Sequence, residues 1–231
     1  PDRLEKSGAN RENSHLVLLC ENMAGYRNLM KLSSAGFTEG FYYRPRIDLK
    51  LLEEHSEGLI ATSACLSGEL PKLLLEGRYE DARAHALEMQ RIMGKGNYFI
   101  ELMDHAIREE KLVLPQLVKL SEDTGIPLVV TNDCHYLRKE DAPAQEVLMC
   151  IQTGKTLEDA QRMRMETEEL YVKSEEEMRA LFPHLGEAVS RAHEIAMRCQ
   201  VDFDFSTHHL PHYIPMSRPV KATANCLSGC A

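Results

Sequence analysis

Short apolar runs alternate with amphipathic segments over the first two thirds of the chain. The apolar runs predict four buried strands, at residues 15–20, 58–63, 97–103 and 127–131. Apolar residues at helical spacing predict helices at residues 26–37, 49–55, 68–76, 79–93, 109–124 and 142–153. The strands are apolar on both faces and helices follow them, which is typical of a parallel sheet in an α/β fold. The connections are too long for hairpins, which also favours parallel pairing.

The pattern changes in the last third of the chain. A short strand is predicted at residues 170–172, and Ser174 begins a capping box that predicts the start of a helix. A last amphipathic helix is predicted at residues 186–199, after which the hydrophobic pattern fades. We therefore expect one domain over residues 1–206, followed by an irregular tail at 207–231.

The composition is that of a soluble globular protein. Of the 231 residues, 43% are hydrophobic and 27% are charged. The net charge of −9 excludes a strongly basic protein that coats nucleic acid. The seven cysteines show no CxxC spacing, which indicates reduced thiols rather than a disulfide scaffold. No apolar run reaches the ~18 residues of a membrane helix, so we expect a cytoplasmic protein with no membrane partner.

Chemically versatile side chains follow three of the predicted strands. Cys65 follows the second strand, His105 the third, and Asp133 and His135 the fourth. In parallel α/β folds the carboxyl ends of the strands form one edge, and functional groups usually lie there. Because residues two apart on an extended segment point the same way, Asp133 and His135 could share one divalent ion. Carboxylate, imidazole and thiolate together suit Zn²⁺ or Mn²⁺.

Each of these candidates also has a simpler interpretation. An Asp-x-His pair such as Asp133 and His135 often forms a turn or caps a helix. Cys65 could be a small buried residue, and His105 a packing or surface histidine. His15 opens its strand, and the pattern alone does not place it at the same edge. The pattern by itself therefore leaves the metal site and these structural roles open.

Two other groups attract attention. The loop at residues 41–46 mixes aromatic and basic side chains, which suits single-stranded nucleic acid, but a loop held by packed tyrosines is the favoured interpretation. Three histidines lie beside the irregular tail, where solvent exposure is expected: His208, His209 and His212. No glycine-rich phosphate loop, G-x-S-x-G elbow or H-E-x-x-H motif occurs in the sequence.

Several long strings resemble one family. These are HLVLLCENMAGYRNLMKL, EGFYYRPRID, EGLIATSACLSGEL, TNDCHYLRKEDA and VLMCIQTGKTL. In this order they resemble the N-terminal polymerase-and-histidinol-phosphatase (PHP) domain of the replicative C-family polymerases, the alpha subunits of bacterial DNA polymerase III. The resemblance covers residues 3–205, and nothing beyond about residue 217 matches the family.

The resemblance implies a fold and a set of ligands. The fold would be a partial, distorted (β/α)7 barrel that lacks its N-terminal strands and carries a C-terminal helical extension. The family's metal-ligand positions map to His15, Cys65, Asp133 and His135, whereas His105 would be a nearby supporting group rather than a ligand. The remaining ligand positions, an H-x-H pair, an Asp, a His and a Glu, would precede this chain. Gln145 stands where the family often has His.

The resemblance also implies a function. The intact subunit would synthesise DNA from deoxynucleoside triphosphates with Mg²⁺, using palm carboxylates that lie downstream of this chain. The PHP domain would hold Zn²⁺ or Mn²⁺ and act either as a proofreading 3′–5′ exonuclease or as a structural and docking module. Partners would include DNA and other holoenzyme subunits, such as the sliding clamp and the proofreading subunit. The fragment alone is expected to be inactive, and the alternative is a stand-alone PHP-family phosphoesterase.

Overall fold

The computed structural model describes residues 2–8 and 13–207. The chain divides into two compact units, Pro1–Val201 and Asp202–Ala231, and only residues 202–207 of the second unit are described. In this short segment the carboxylate of Asp204 accepts hydrogen bonds from Ser206 and Thr207. The tail predicted at 207–231 lies outside the described residues from position 208 onwards, and so do His208, His209 and His212.

The first unit is built around a four-stranded sheet. The strands are β1 (Val17–Cys20), β2 (Leu59–Thr62), β3 (Tyr98–Leu102) and β4 (Leu128–Val130), and their spatial order is the chain order. Strands β2, β3 and β4 pair in parallel, as the apolar pattern predicts. The fold is therefore mixed α/β with a largely parallel sheet.

The prediction of a wholly parallel sheet is wrong for β1. This strand runs antiparallel to β2, with Val17 opposite Thr62 and Cys20 opposite Leu59. An apolar pattern reports that a strand is buried on both faces and carries no information about its direction. The connection between the two strands brings the chain back to the C-terminal end of β1, so that β2 starts beside it. There Glu21 N donates to Gly58 O at 2.9 Å.

A contact between two glycines makes this return possible. A Cβ atom on Gly25 would lie 1.8 Å from the carbonyl oxygen of Gly58, so the two backbones touch as only glycine permits. Gly58 itself has φ +70°, a left-handed conformation that other residues rarely adopt. The chain can therefore enter β2 directly beside the end of β1.

Eight helices surround the sheet in the part of the chain that is described. They are α1 (Met23–Thr38), α2 (Leu49–Glu54), α3 (Glu69–Leu75), α4 (Tyr79–Met93), α5 (Arg108–Thr124), α6 (Ala142–Thr153), α7 (Glu175–Leu181) and α8 (Gly186–Arg198). The capping box predicted at Ser174 is confirmed, with Glu177 as its partner. In addition, Asp48 caps α2 and Gly125 ends α5 with φ +69°. The strand predicted at 170–172 is reduced to a single bridge between Tyr171 and Tyr136.

Alternate residues of the strands face two different layers. Tyr98, Ile100 and Leu102 point into the main core, to which the helices that follow β1, β2 and β3 contribute together with Ala188 and Val189 of α8. Phe99 points to the other face, where it meets Ile195 of α8. Strands β2, β3 and β4 are therefore buried on both sides, as their sequence pattern predicts, whereas the edge strand β1 is only partly buried.

Helix α8 is fastened to the sheet by two arginines. Arg198 bonds the carboxylate of Glu21 at 2.9 Å and the carbonyl of Gly96 at 2.8 Å, and Arg191 donates to the carbonyl of Leu128 at 2.6 Å. Among the described residues, no helix combines the length and the apolar character that crossing a lipid bilayer requires.

Candidate metal centre at the strand rim

Four short segments meet at one edge of the sheet, which we call the strand rim. They are His15, which precedes β1, and residues 63–65, 104–105 and 131–135, which follow β2, β3 and β4. The three parallel strands end at this edge, and the antiparallel β1 begins there. The direction of β1 therefore brings His15 to the rim, which the sequence pattern could not indicate.

His15 and Cys65 form the first pair of candidate ligands. The thiol sulfur of Cys65 lies 3.9 Å from Nδ1 of His15. The backbone secures this pairing, since His15 N donates to Ser67 O at 2.9 Å and His15 forms a parallel bridge with Gly68. A Cβ atom on Gly68 would lie 2.1 Å from the carbonyl oxygen of Ser63, so the turn after β2 requires glycine there.

Asp133 and His135 form the second pair. Asp133 Oδ1 lies 3.4 Å from His135 Nε2, and both side chains are partly open to solvent. The sequence predicts an extended segment here, but the chain turns at Asp133, where Cys134 N donates to Asn132 O at 3.1 Å. His135 N donates to Leu170 O at 2.8 Å. This hydrogen bond ties the segment after β4 to the chain that precedes α7.

His105 belongs to neither pair. Its side chain is buried, and Nδ1 lies 2.7 Å from Oε1 of Glu110. Its other ring nitrogen, Nε2, lies 3.1 Å from the backbone nitrogen of Asp133. His105 therefore contacts the segment that carries the second pair without joining the pair itself.

Glu110 has a perturbed acidity. Burial opposes ionisation of its carboxyl group, but hydrogen bonds from the side chain and backbone of His105 outweigh that effect and hold its pKa below the usual value. The sequence gives no sign of this role for Glu110, because a glutamate in the first turn of a helix is ordinarily a solvated residue that interacts favourably with the helix dipole.

A second buried carboxylate connects three strands just below the rim. Glu101 of β3 accepts hydrogen bonds from the hydroxyl groups of Thr62, at the end of β2, and Thr131, just after β4. The backbone N–H of Glu101 donates to the hydroxyl of Ser63 at 2.9 Å. Glu101 is not among the residues predicted to be functional, although a charged residue inside an apolar strand indicates a buried group that needs hydrogen-bond partners.

The donor types fit a divalent ion, but their number does not complete a site. Imidazole, thiolate and carboxylate are the groups that bind Zn²⁺ and Mn²⁺ in proteins. Over residues 2–8 and 13–207, however, no three His, Cys, Asp or Glu side chains lie close enough together to hold one ion. The rim thus offers two separate pairs of ligands.

Internal contacts hold the aromatic and basic loop at residues 41–46, although Phe41 and Tyr43 are 47% and 62% exposed. Arg46 is buried, donates to Gly40 O at 3.1 Å and lies 5.4 Å from the centre of the Tyr42 ring. The rings of Tyr42 and Tyr43 meet edge to face at 4.7 Å. These contacts are those of a loop held by packed tyrosines, the interpretation that the sequence favours.

In a comparison with known protein families, residues 4–105 match the PHP domain. The chain is 50% identical over 199 residues to the DNA polymerase III subunit alpha of Treponema pallidum. The aligned region covers 86% of this chain and 17% of that protein. The corresponding subunit of Borreliella burgdorferi is 47% identical over 201 residues, covering 86% of this chain and 17% of the relative. That of Thermus aquaticus is 41% identical over 218 residues, covering 92% and 18%.

These matches confirm the resemblance found in the sequence. The chain carries PHP-domain sequence, and most of its length is closely similar to part of DNA polymerase III alpha subunits. It spans less than a fifth of the length of these relatives.

Proposed function

We propose that this chain is part of the PHP domain of a DNA polymerase III alpha subunit and that the domain is a metal-dependent 3′–5′ exonuclease. His15, Cys65, Asp133 and His135 are the metal ligands in this proposal. The observation that carries it is the antiparallel direction of β1, because it brings His15 beside Cys65 at the edge where Asp133 and His135 lie.

The four side chains have the chemistry that the proposal needs. A bound Zn²⁺ or Mn²⁺ would supply an activated water and stabilise the leaving oxygen of the nucleotide. His15 and His135 bind through neutral imidazole nitrogens, Cys65 through its thiolate and Asp133 through its carboxylate. The partly open position of the second pair leaves room for the end of a DNA strand.

Two pairs are not a complete cage. We propose that further ligands come from other parts of a longer polymerase chain and that the four-stranded sheet is part of a distorted (β/α)7 barrel. This chain alone is then inactive as a nuclease, because the ions lack the ligands that fix their positions.

The whole polymerase would synthesise DNA from deoxynucleoside triphosphates with Mg²⁺ in the cytoplasm, alongside the sliding clamp and the proofreading subunit. The similarity to polymerase subunits over most of the chain favours this function over a stand-alone phosphoesterase.

A structural and docking role is the second candidate, and one surface favours it. Val147, Leu148 and Ile151 lie on one side of α6, and their exposed fractions are 42%, 58% and 72%. An exposed apolar helix face of this kind is typical of a contact with another domain or subunit. In this alternative the metals would stabilise the domain instead of cutting DNA.

The decisive experiment uses a longer polymerase chain that contains this sequence. Primed DNA with a mismatched 3′ end is incubated with Mn²⁺ in the absence of nucleotides, and the shortened primers are separated by gel electrophoresis. We expect Asp133→Asn to abolish shortening, while Asp81→Asn, the same change at an exposed position on α4, leaves it unchanged. No shortening by the wild type, or equal shortening by the Asp133 variant, would exclude the exonuclease and leave the docking role.

A further inference from the structure

A buried pair of ionisable side chains, Glu110 and His105, lies behind the second pair of candidate ligands. Only 7% of the Glu110 side chain and 2% of the His105 side chain are exposed. Burying such groups costs free energy unless they are fully hydrogen-bonded, so their arrangement needs an explanation.

Glu110 holds His105 at two points. Its Oε1 lies 2.7 Å from Nδ1 of the ring, and its Oε2 accepts a hydrogen bond from the backbone nitrogen of His105 at 2.7 Å. The next residue, Ala106, has φ +62°, which turns the chain sharply into α5 and brings Glu110 back beneath His105. Thr167 fixes the remaining backbone group by donating to His105 O at 2.7 Å. The imidazole ring therefore has little freedom to rotate.

The free edge of the ring faces the segment after β4. His105 Nε2 lies 3.1 Å from the backbone nitrogen of Asp133 and 3.0 Å from Oδ1 of Asn132. The amide group of Asn132 is oriented by its own donation to Tyr171 O. The two contacts make opposite demands on Nε2, because the Asn132 oxygen can only accept, which calls for a proton there, and the Asp133 N–H can only donate, which calls for a lone pair. The Glu110 carboxylate can only accept and so takes a proton from Nδ1, and a neutral ring then keeps its lone pair on Nε2 for Asp133.

We propose that Glu110 and His105 are positioning residues, which hold the backbone of Asp133 so that its carboxylate and His135 face the same site. The carboxylate of Glu110 selects the ring form with the proton on Nδ1, and the ring then accepts the Asp133 N–H. This follows the general arrangement in which a carboxylate orients a histidine that acts on a third group. The importance of these contacts for catalysis rests on the proposed function, but the geometry of Glu110, His105 and Asp133 does not.

The first test determines which nitrogen of the His105 imidazole ring carries the proton. Long-range ¹H–¹⁵N correlation spectra of the 231-residue chain near pH 7, assigned with His105→Gln, report which imidazole nitrogen carries hydrogen. We expect His105 to show a protonated Nδ1 and an unprotonated Nε2. A proton on Nε2, whether alone or together with one on Nδ1, would overturn the proposal.

The second test separates positioning from general stability by two matched variants. A Gln side chain can place its carbonyl oxygen where Nε2 lies, whereas Asn reaches only the position of Nδ1. We expect hydrogen exchange of the Asp133 amide to stay within about threefold of wild type in His105→Gln and to rise by at least about tenfold in His105→Asn. Val113→Ala, a core change in α5, controls for loss of stability, because it lowers global protection without touching this contact.

Equal exchange at Asp133 in both His105 variants, after correction for global stability, would refute the positioning role. Neither measurement uses metal or DNA, so a failed exonuclease assay leaves the outcome unaffected. Conversely, if the exonuclease is active but the Asp133 amide exchanges freely, the proposed function stands and the positioning role of Glu110 and His105 is refuted.

Discussion

The thiol of Cys65 lies 3.9 Å from Nδ1 of His15, although 50 positions separate the two residues in the chain. Their proximity depends on the antiparallel pairing of β1 with β2, which reverses the end of β1 that reaches the strand rim. In a wholly parallel sheet His15 would lie at the opposite edge, far from the other candidate ligands.

If this pair binds metal, Co²⁺ should reveal the thiolate. In a longer polymerase chain loaded with Co²⁺, we expect a sulfur-to-metal charge-transfer band that disappears in Cys65→Ser. Cys134→Ser should retain the band, because Cys134 lies at the rim but bonds to Asn132 O and Tyr171 O. Persistence of the band without Cys65 would remove this residue from the ligand set.

The buried carboxylate of Glu101 should contribute strongly to stability. Glu101→Ala removes the acceptor of two threonine hydroxyl groups and leaves them unpaired beside the cavity it creates. We expect the free energy of unfolding in urea to fall by about 2–4 kcal/mol. Thr38→Val, which removes a hydroxyl bonded to a helix carbonyl on the surface, should cost much less. A similar loss in both variants would mean that the three-strand connection adds nothing.

Ala64 occupies a strained backbone position between β2 and Cys65. Its φ is +63°, and its side chain is buried. We expect Ala64→Val to destabilise the fold by about 1–3 kcal/mol, because a β-branched residue fits a left-handed conformation poorly. Ala64→Gly should be nearly neutral, since glycine relieves the strain but gains freedom in the unfolded chain. Thermal unfolding compares the two, and a well-tolerated valine would contradict the left-handed backbone at this position.

Asp48 should make stability depend on pH. Burial opposes ionisation of its carboxyl group, but hydrogen bonds from the backbone of Leu51 and from Arg3 outweigh it and lower the pKa. Because the pKa is lower in the folded state, this contribution is present above the unfolded-state value of about 4 and is lost as the pH falls through the folded-state value. Urea unfolding at pH 7 and pH 3 should show a smaller difference in Asp48→Asn than in wild type. Asp81→Asn serves as the control, and an unchanged difference in the Asp48 variant would exclude this effect.

The exposed face of α6 should tolerate a charge in this chain but not in a complete polymerase. Ile151 is 72% exposed, so Ile151→Lys should change the free energy of unfolding of this chain by less than about 0.5 kcal/mol. In a longer polymerase the same substitution should weaken the contact that covers α6, which limited proteolysis would detect as faster cleavage. Lys155→Glu, a charge change just beyond the helix, tests whether any altered charge has this effect. Equal cleavage of wild type and Ile151→Lys would argue against docking at this face.

The sequence predicted most of the elements because their signals are local. The apolar runs located all four strands of the sheet. Ser174 marked a helix start, since its hydroxyl accepts a hydrogen bond from the backbone nitrogen of Glu177, three positions ahead. Asp133 and His135 lie together, as predicted, but a turn at Asp133 brings them together rather than an extended segment.

The features that the sequence did not reveal depend on contacts between distant segments. The return of the chain beside β1 relies on the close contact between Gly25 and Gly58, which lie far apart in the sequence. Glu101 and Glu110 gained their importance only when threonines from two other strands, or a histidine from the preceding turn, came to lie against them. The ligand assignments drawn from the family resemblance remain predictions until metal binding is measured.

The contact between Gly25 and Gly58 has a genetic consequence. A methyl group at position 25 would collide with the Gly58 carbonyl, so the entry into β2 would have to shift and carry β1 with it. Gly25→Ala would then separate His15 from Cys65 without altering any candidate ligand. If the proposed exonuclease acts in a longer polymerase, such a substitution would appear as a mutator allele at a position that carries no candidate ligand.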